Sequence, residues 1–234
     1  MPVGIITDVG VTVLGGILGC LLGSKLSARW KALLNNLLGV AAMVMGIVLI
    51  LRVANLSAAV LALLAGACVG QALNLEQRVN AGANAVMGKL LGSSQADEGQ
   101  LAQISAALVL FCCGGTGWFG ALNEGLTGDG SILVTKAILD GVTACIFAAL
   151  LGKIIPCLAL PQLGVYLVLF FASGLVSPFI TDTMIADFSA VGGIITLVAG
   201  MRLGGIKRDI PVLNLLPGLI LAFFFSAAWT AFVA

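Results

Sequence analysis

Eight stretches of the sequence, roughly 4–23, 36–54, 57–74, 101–121, 131–152, 154–176, 188–205 and 211–232, are apolar over nearly the length needed to cross a bilayer. This spacing constrains the chain more than any single residue does. Hydrocarbon about 30 Å thick is crossed by about 20 residues of helix, so the expected fold class is all-α, a polytopic transmembrane helical bundle of about 8 spans. Several stretches are short or interrupted by glycine, and seven spans plus a re-entrant segment is the other arrangement open. Composition agrees: at 60% hydrophobic and 9% charged, the 234 residues have too little polar surface to clothe a water-soluble globule. The lipid bilayer is therefore the first expected partner.

The basic residues set an orientation. Lys25, Arg29 and Lys31 follow span one, Arg78 and Lys89 follow span three, Lys153 follows span five, and Arg202, Lys207 and Arg208 follow span seven. In the eight-span layout all of these lie on one side, Arg52 sits near the opposite face and Lys136 lies inside a span. The excess of Lys and Arg in cytoplasmic loops then puts both termini outside the cytoplasm, with Glu124, Asp129, Asp182 and Asp187 external. The first apolar run has no basic segment before it, so it reads as a retained span, not as a cleaved signal.

The sequence also matches itself. Residues 10–46 align with 164–200 without a gap, pairing Gly10-Val11 with Gly164-Val165, Leu21 with Leu175, Gly39 with Gly193, Val44 with Val198 and Gly46 with Gly200. A further stretch, Val60 to Gly66, recurs as Val212 to Gly218. Spans one, two and three correspond to spans six, seven and eight, and the two spans between the copies make the second run opposite to the first. The single membrane domain, 1–234, thus divides into a first repeat (1–74), a cytoplasmic amphipathic linker (75–100), two connecting spans with a broken helix (101–153) and a second, inverted repeat (154–234). Inverted repeats of three-helix units are a common architecture of secondary transporters. Within the linker, Val79, Ala83, Val86 and Leu90 recur at helical spacing and predict a short interfacial helix, followed by a loop at Gly92-Ser93-Ser94-Gln95.

Polar residues inside the spans carry the functional signal. Lys136 and Asp140 are spaced i, i+4 and share a helical face with Thr143. Charged groups at membrane depth are expensive and usually face a bundle interior or a watery cavity. The pair reads either as a site that coordinates a substrate or ion, or as a self-neutralised structural pair. Cys113-Gly114-Gly115-Thr116-Gly117 predicts a break in span four, because four of the five residues weaken a helix. Irregular backbone at that depth suggests a cavity lining that includes Thr116. Asn123 and Glu124 open an external segment that either gates a pathway or is a solvated loop. Asp8 aligns with Gln162 at the offset of the repeat, 154 residues, which reads as a shared site near a pseudo-twofold axis; a helix-capping role for Asp8 and a backbone-satisfying role for Gln162 beside Pro161 are the alternatives. Gly15, Gly19 and Gly23, like Gly66 and Gly70, form small-residue stripes for close helix contact, within the chain or between copies of it.

With no His, no CxxC, no phosphate-binding glycine–lysine loop and no serine elbow, the sequence carries no visible machinery for metal ligation, nucleotide hydrolysis or serine catalysis. No enzyme activity and no cofactor are expected, and the absence of a basic patch argues against nucleic acid. The six cysteines, at 20, 68, 112, 113, 145 and 157, lie in apolar surroundings and read as small hydrophobes. Arginine ladders and a TVGYG filter, marks of voltage-gated and potassium channels, are absent.

The stretch Phe111 to Gly141, with Gly120-Ala121-Leu122-Asn123-Glu124-Gly125-Leu126-Thr127-Gly128-Asp129, then Thr135-Lys136 and Leu139-Asp140-Gly141, resembles the YqgA-like family of bacterial inner-membrane proteins, grouped as domain of unknown function 554. Gly192-Gly193, Gly200 and Asn214-Leu215-Leu216-Pro217 fit the same pattern, so the resemblance extends over essentially the whole chain. It implies a multi-pass protein of the bacterial inner membrane, with no substrate or catalytic residue to carry over. The family's pattern further implies Asn where this chain has Asp8, and an acid where it has Gln71. Taken together, the reading is a secondary transporter of a small solute or ion, forming a homo-oligomer, with Asp140, Lys136, Thr143, Asn123, Glu124, Thr116, Asp8 and Gln162 as site candidates. A passive channel, or a membrane scaffold or partner subunit, are the alternatives.

Overall fold

A computed structural model describes residues 1–23, 25–90, 98–112, 114–176, 180–206 and 210–233. Apolar runs become helices because, away from water, intrahelical bonds are the cheapest way to satisfy the backbone. The order is α1 (Val3–Gly23), α2 (Ala28–Ile50), α3 (Leu56–Ala72), α4 (Leu75–Leu90), α5 (Glu98–Cys112), α6 (Gly115–Thr127), α7 (Ser131–Leu151), α8 (Ile154–Cys157), α9 (Ala159–Val176), α10 (Asp182–Leu203), a 3₁₀ turn (Val212–Leu215) and α11 (Pro217–Val233). Among the described residues, seven helical stretches are long and apolar enough to cross a membrane. An eighth is obtained if α3 and α4, bent by 57° at Leu73 and Asn74, count as one span. Asn74 makes that bend with φ of 50°.

Each predicted span has its helix, with shifted ends. The second and seventh begin several residues earlier than hydropathy suggests, at Ala28 and Asp182, because Arg29, Lys31, Asp182 and Asp187 depress the apolar average without breaking the helix. The linker helix is present as α4, and its Val79 and Ala83 pack on the main core. The predicted loop at 92–95 lies outside the described residues.

Interior and surface are both apolar, and they differ in side-chain size. Alanines dominate the interior, including Ala42, Ala58, Ala59, Ala62, Ala106 and Ala107, while Leu14, Leu21, Val44, Leu64, Phe171 and Phe224 point outward. Small residues let helices approach closely, and large ones present hydrocarbon to lipid.

The chief contacts join elements far apart in sequence: α1 with α7, α2 with α10, α3 with α11 and α6 with α9. The stripe on α1 lies along α7. Side chains added at Gly15 and Gly19 would strike the carbonyl oxygens of Gly141 and Cys145, and one at Gly23 that of Ala149. Small-residue spacing here serves packing within one chain. The matched stretches also touch one another. A Cβ at Gly39 would lie 3.0 Å from the oxygen of Gly200, and one at Gly46 would lie 2.6 Å from that of Gly193; from the other side, Gly200 meets Gly39 and Gly193 meets Gly46, each at 2.7 Å. Gly66 abuts the backbone of Gly218 in the same way. The third pair differs locally, since Val60–Gly66 is continuous α-helix whereas Val212–Leu215 is a 3₁₀ turn. Pro217 explains this, for it has no N–H to continue an α-helix back through those residues.

Candidate functional site

Span four breaks where its glycines predict. α5 stops at Cys112, Gly114 is extended (φ −66°, ψ 131°) and α6 restarts at Gly115. A break frees carbonyls at the end of α5, and side chains take them up: the Tyr166 hydroxyl donates to Phe111 O at 2.7 Å and the Trp118 indole to Cys112 O at 2.8 Å. Tyr166 is fully buried, and only a glycine at 117 leaves room for its hydroxyl. Removing that hydroxyl in Tyr166→Phe leaves a buried carbonyl without its donor. We expect a loss of about 1–3 kcal/mol, read as a lower melting temperature of the purified protein.

Beside the break lies a cavity of about 330 Å³, walled by Leu38, Ala42 and Met45 of α2, Thr196 of α10, Thr116 of α6, and Lys136, Asp140 and Thr143 of α7. Lys136 and Asp140, each 7% exposed, form the predicted ion pair and stand at the cavity wall. Behind them are Asp8 and Gln162, both 0% exposed. Lys136 Nζ also lies 3.5 Å from Asp8 Oδ2 and 5.7 Å from the centre of the Tyr166 ring. The Gln162 amide donates through Nε2 to Asp8 Oδ2 at 3.0 Å and to Asp140 Oδ2 at 3.1 Å. Asp8 Oδ1 and Gln162 Oε1 are buried with no hydrogen-bond partner. One ammonium, two carboxylates and one carboxamide thus stand together, Lys136 and Asp140 at the cavity wall and Asp8 and Gln162 buried behind them.

Of the eight candidates, Asp8, Lys136, Asp140 and Gln162 form this cluster, with Thr116 and Thr143 on the adjoining wall. Asn123 and Glu124 are elsewhere. The Glu124 carboxylate, 1% exposed, accepts the N–H groups of Gly4 (2.6 Å) and Ile5 (3.1 Å), and so satisfies the start of α1. Asn123 Nδ2 donates to Asp129 O at 3.2 Å, stiffening the α6–α7 turn. In that turn the exposed Asp129 carboxylate accepts from Ser131 N at 2.9 Å, which holds it below the usual carboxylate range.

Two more buried carboxylates act as Glu124 does. Asp187 accepts from Ala54 N (3.1 Å), Asn55 N (2.6 Å) and the Ser226 hydroxyl (2.6 Å), fixing the start of α3. Glu76 pairs with Arg202 and accepts from Leu213 N at 3.1 Å, fixing the turn before α11. Sequence reasoning left out Tyr166 and Thr196 as site neighbours. Tyr166 had a signal, being the sole tyrosine of the chain and one turn beyond Gln162; Thr196 had none.

Fold and site together define a polytopic α-helical membrane protein that holds an ion-paired cluster beside a cavity between α2 and α7. The comparisons place it more closely. The chain belongs to the family described as "Protein of unknown function (DUF554)", which matches residues 3–227. It is 43% identical over 236 residues to "Uncharacterized protein YqgA" of Escherichia coli (strain K12), covering 100% of both chains. It is 31% identical over 226 residues to "Uncharacterized membrane protein YdfK" of Bacillus subtilis (strain 168), covering 93% of each. No solved structure matches.

Proposed function

We propose that the protein is a secondary transporter of a small solute or ion across the bacterial inner membrane, built on inverted three-helix repeats with both termini outside the cytoplasm. The observation that carries this reading is the position of the charged cluster between two contacts of matched residues. On one side Asp8 bonds to Gln162, its counterpart 154 positions on. On the other, Ala42 and Thr196, also counterparts, line the same cavity. A twofold rotation in the membrane plane would carry the Gly39–Gly200 contact onto Gly193–Gly46, which is the reciprocity these glycines have. A site on such an axis is equally placed with respect to both faces, as alternating access requires. Helix packing alone would be served more cheaply by apolar residues than by a buried ammonium and two buried carboxylates.

Purified protein melted with a panel of ions and small metabolites, beside the variant Asp140→Asn, tests the reading. One ligand class should raise the stability of the parent, by about 2.7 kcal/mol at a hundredfold excess over Kd, and fail to do so in the variant. A panel without effect, with the variant as active in cells as the parent, would instead favour a scaffold.

A further inference from the structure

We propose that Asp8 binds a proton, as a carboxylic acid whose O–H on Oδ1 donates to Gln162 Oε1, and that this proton is the coupling ion of the transporter. The coupling role rests on the reading above, whereas the proton itself does not.

The first observation is the charge that surrounds Asp8. From α7, Lys136 and Asp140 face it; from α9, Tyr166 stands near, its hydroxyl committed to Phe111 O. Glu124 of α6 lies about a turn away and is satisfied by Gly4 N and Ile5 N, while Cys157 of α8 is beside Cys20. With every group ionised, one ammonium answers two carboxylates, and one negative charge remains where Asp8 is 0% exposed. An uncompensated buried charge is the most expensive state the cluster could adopt.

The second observation is the hydrogen-bond account. Gln162 Nε2 spends its two hydrogens on Asp8 Oδ2 and Asp140 Oδ2. The remaining oxygens, Asp8 Oδ1 and Gln162 Oε1, are both buried acceptors without donors. These are the free corners of two planar groups already joined at their other corners. A single hydrogen on Oδ1 supplies the missing donor to both, closing an acid–amide ring with two bonds. It also brings the charge of the cluster to zero. Asp140 is the poorer acceptor for that proton, because it is paired with Lys136 and reaches the cavity. A metal cation is a weaker fit: among the described residues no cluster of three His, Cys, Asp or Glu side chains could hold one.

Infrared spectroscopy of the purified protein in lipid, in H₂O and D₂O near neutral pH, tests the proposal. The parent should give a protonated-carboxyl C=O band that shifts in D₂O. Asp8→Asn should lose the band and keep its melting temperature, because the Asn amide N–H₂ can replace the acid O–H; Asp140→Asn should retain it. The proposal falls if the parent has no such band, if the band survives Asp8→Asn, or if sodium ions rather than pH remove it. A missing band would leave the ligand screen standing, and a band with a silent screen would remove the transporter but keep the acid.

Discussion

Lys136→Met is expected to destabilise the fold by about 3–5 kcal/mol, the range for breaking a buried ion pair by removing one partner. Methionine keeps the length and most of the volume of the side chain, so the loss would be electrostatic. Without the ammonium, Asp140 loses its ion-pair partner and Asp8 the cation 3.5 Å from its Oδ2. Neutralising Asp140 should reverse the damage. Thermal unfolding should show recovery from Lys136→Met to Lys136→Met with Asp140→Asn, and no further step in the triple variant that adds Asp8→Asn, because Asp8 already carries a proton. If Lys136→Met melts with the parent, the cluster is not held together by charge and the site argued above loses its basis.

Gly19→Val carries the second large effect. Overpacking costs about 1–3 kcal/mol where side chains can shift, and more where they cannot. At Gly19 the obstacle is the carbonyl of Cys145 together with the methyl of Ala148, and a backbone in a helix has little room to move. The α1–α7 contact would have to open, with Asp8 drawn away from Lys136. Gly10→Val is the internal control: it lies on the same helix, with nothing within 4 Å of a Cβ placed there. We expect Gly19→Val to yield little monodisperse protein on size-exclusion chromatography and Gly10→Val to behave as the parent. Equal profiles would mean that the close approach of α1 and α7 is not what holds the bundle.

The two residues of the control also show what could be read from sequence. Spans, the break at Gly114 and the Lys136–Asp140 pair were legible, because each depends on hydropathy, helix propensity or i, i+4 spacing within a single segment. That Asp8 and Gln162 could share a site was legible through the 154-residue offset at which the sequence matches itself, whereas their direct hydrogen bond was not. Which helix meets α1 was not: the spacing of Gly15, Gly19 and Gly23 marks the face of close contact and leaves Gly10 off it, but nothing local names α7 as the partner. The role of Glu124 was hidden for the same reason. A carboxylate near a turn suggests exposure to solvent, and nothing local announces that N–H groups at the start of α1 will come to it from 120 residues away.

Those long-range carboxylate contacts have a consequence for biosynthesis. Ribosomes deliver the helices to the membrane in order, and the start of α1 must wait for Glu124, 120 residues downstream; the start of α3 waits for Asp187, 133 residues after Ala54. Glu76 is the reverse case, an acceptor held ready for Leu213, which emerges 137 residues later. Helices already inserted therefore keep unsatisfied ends until later ones arrive. Final locking falls late, first of α6 onto α1, then of α10 onto α3, and last of the turn before α11 onto Glu76. A nascent chain stopped before α10 would sit in the bilayer with α6 locked onto α1 but with α3 and Glu76 still waiting, a state that membrane quality control could tell from the finished protein.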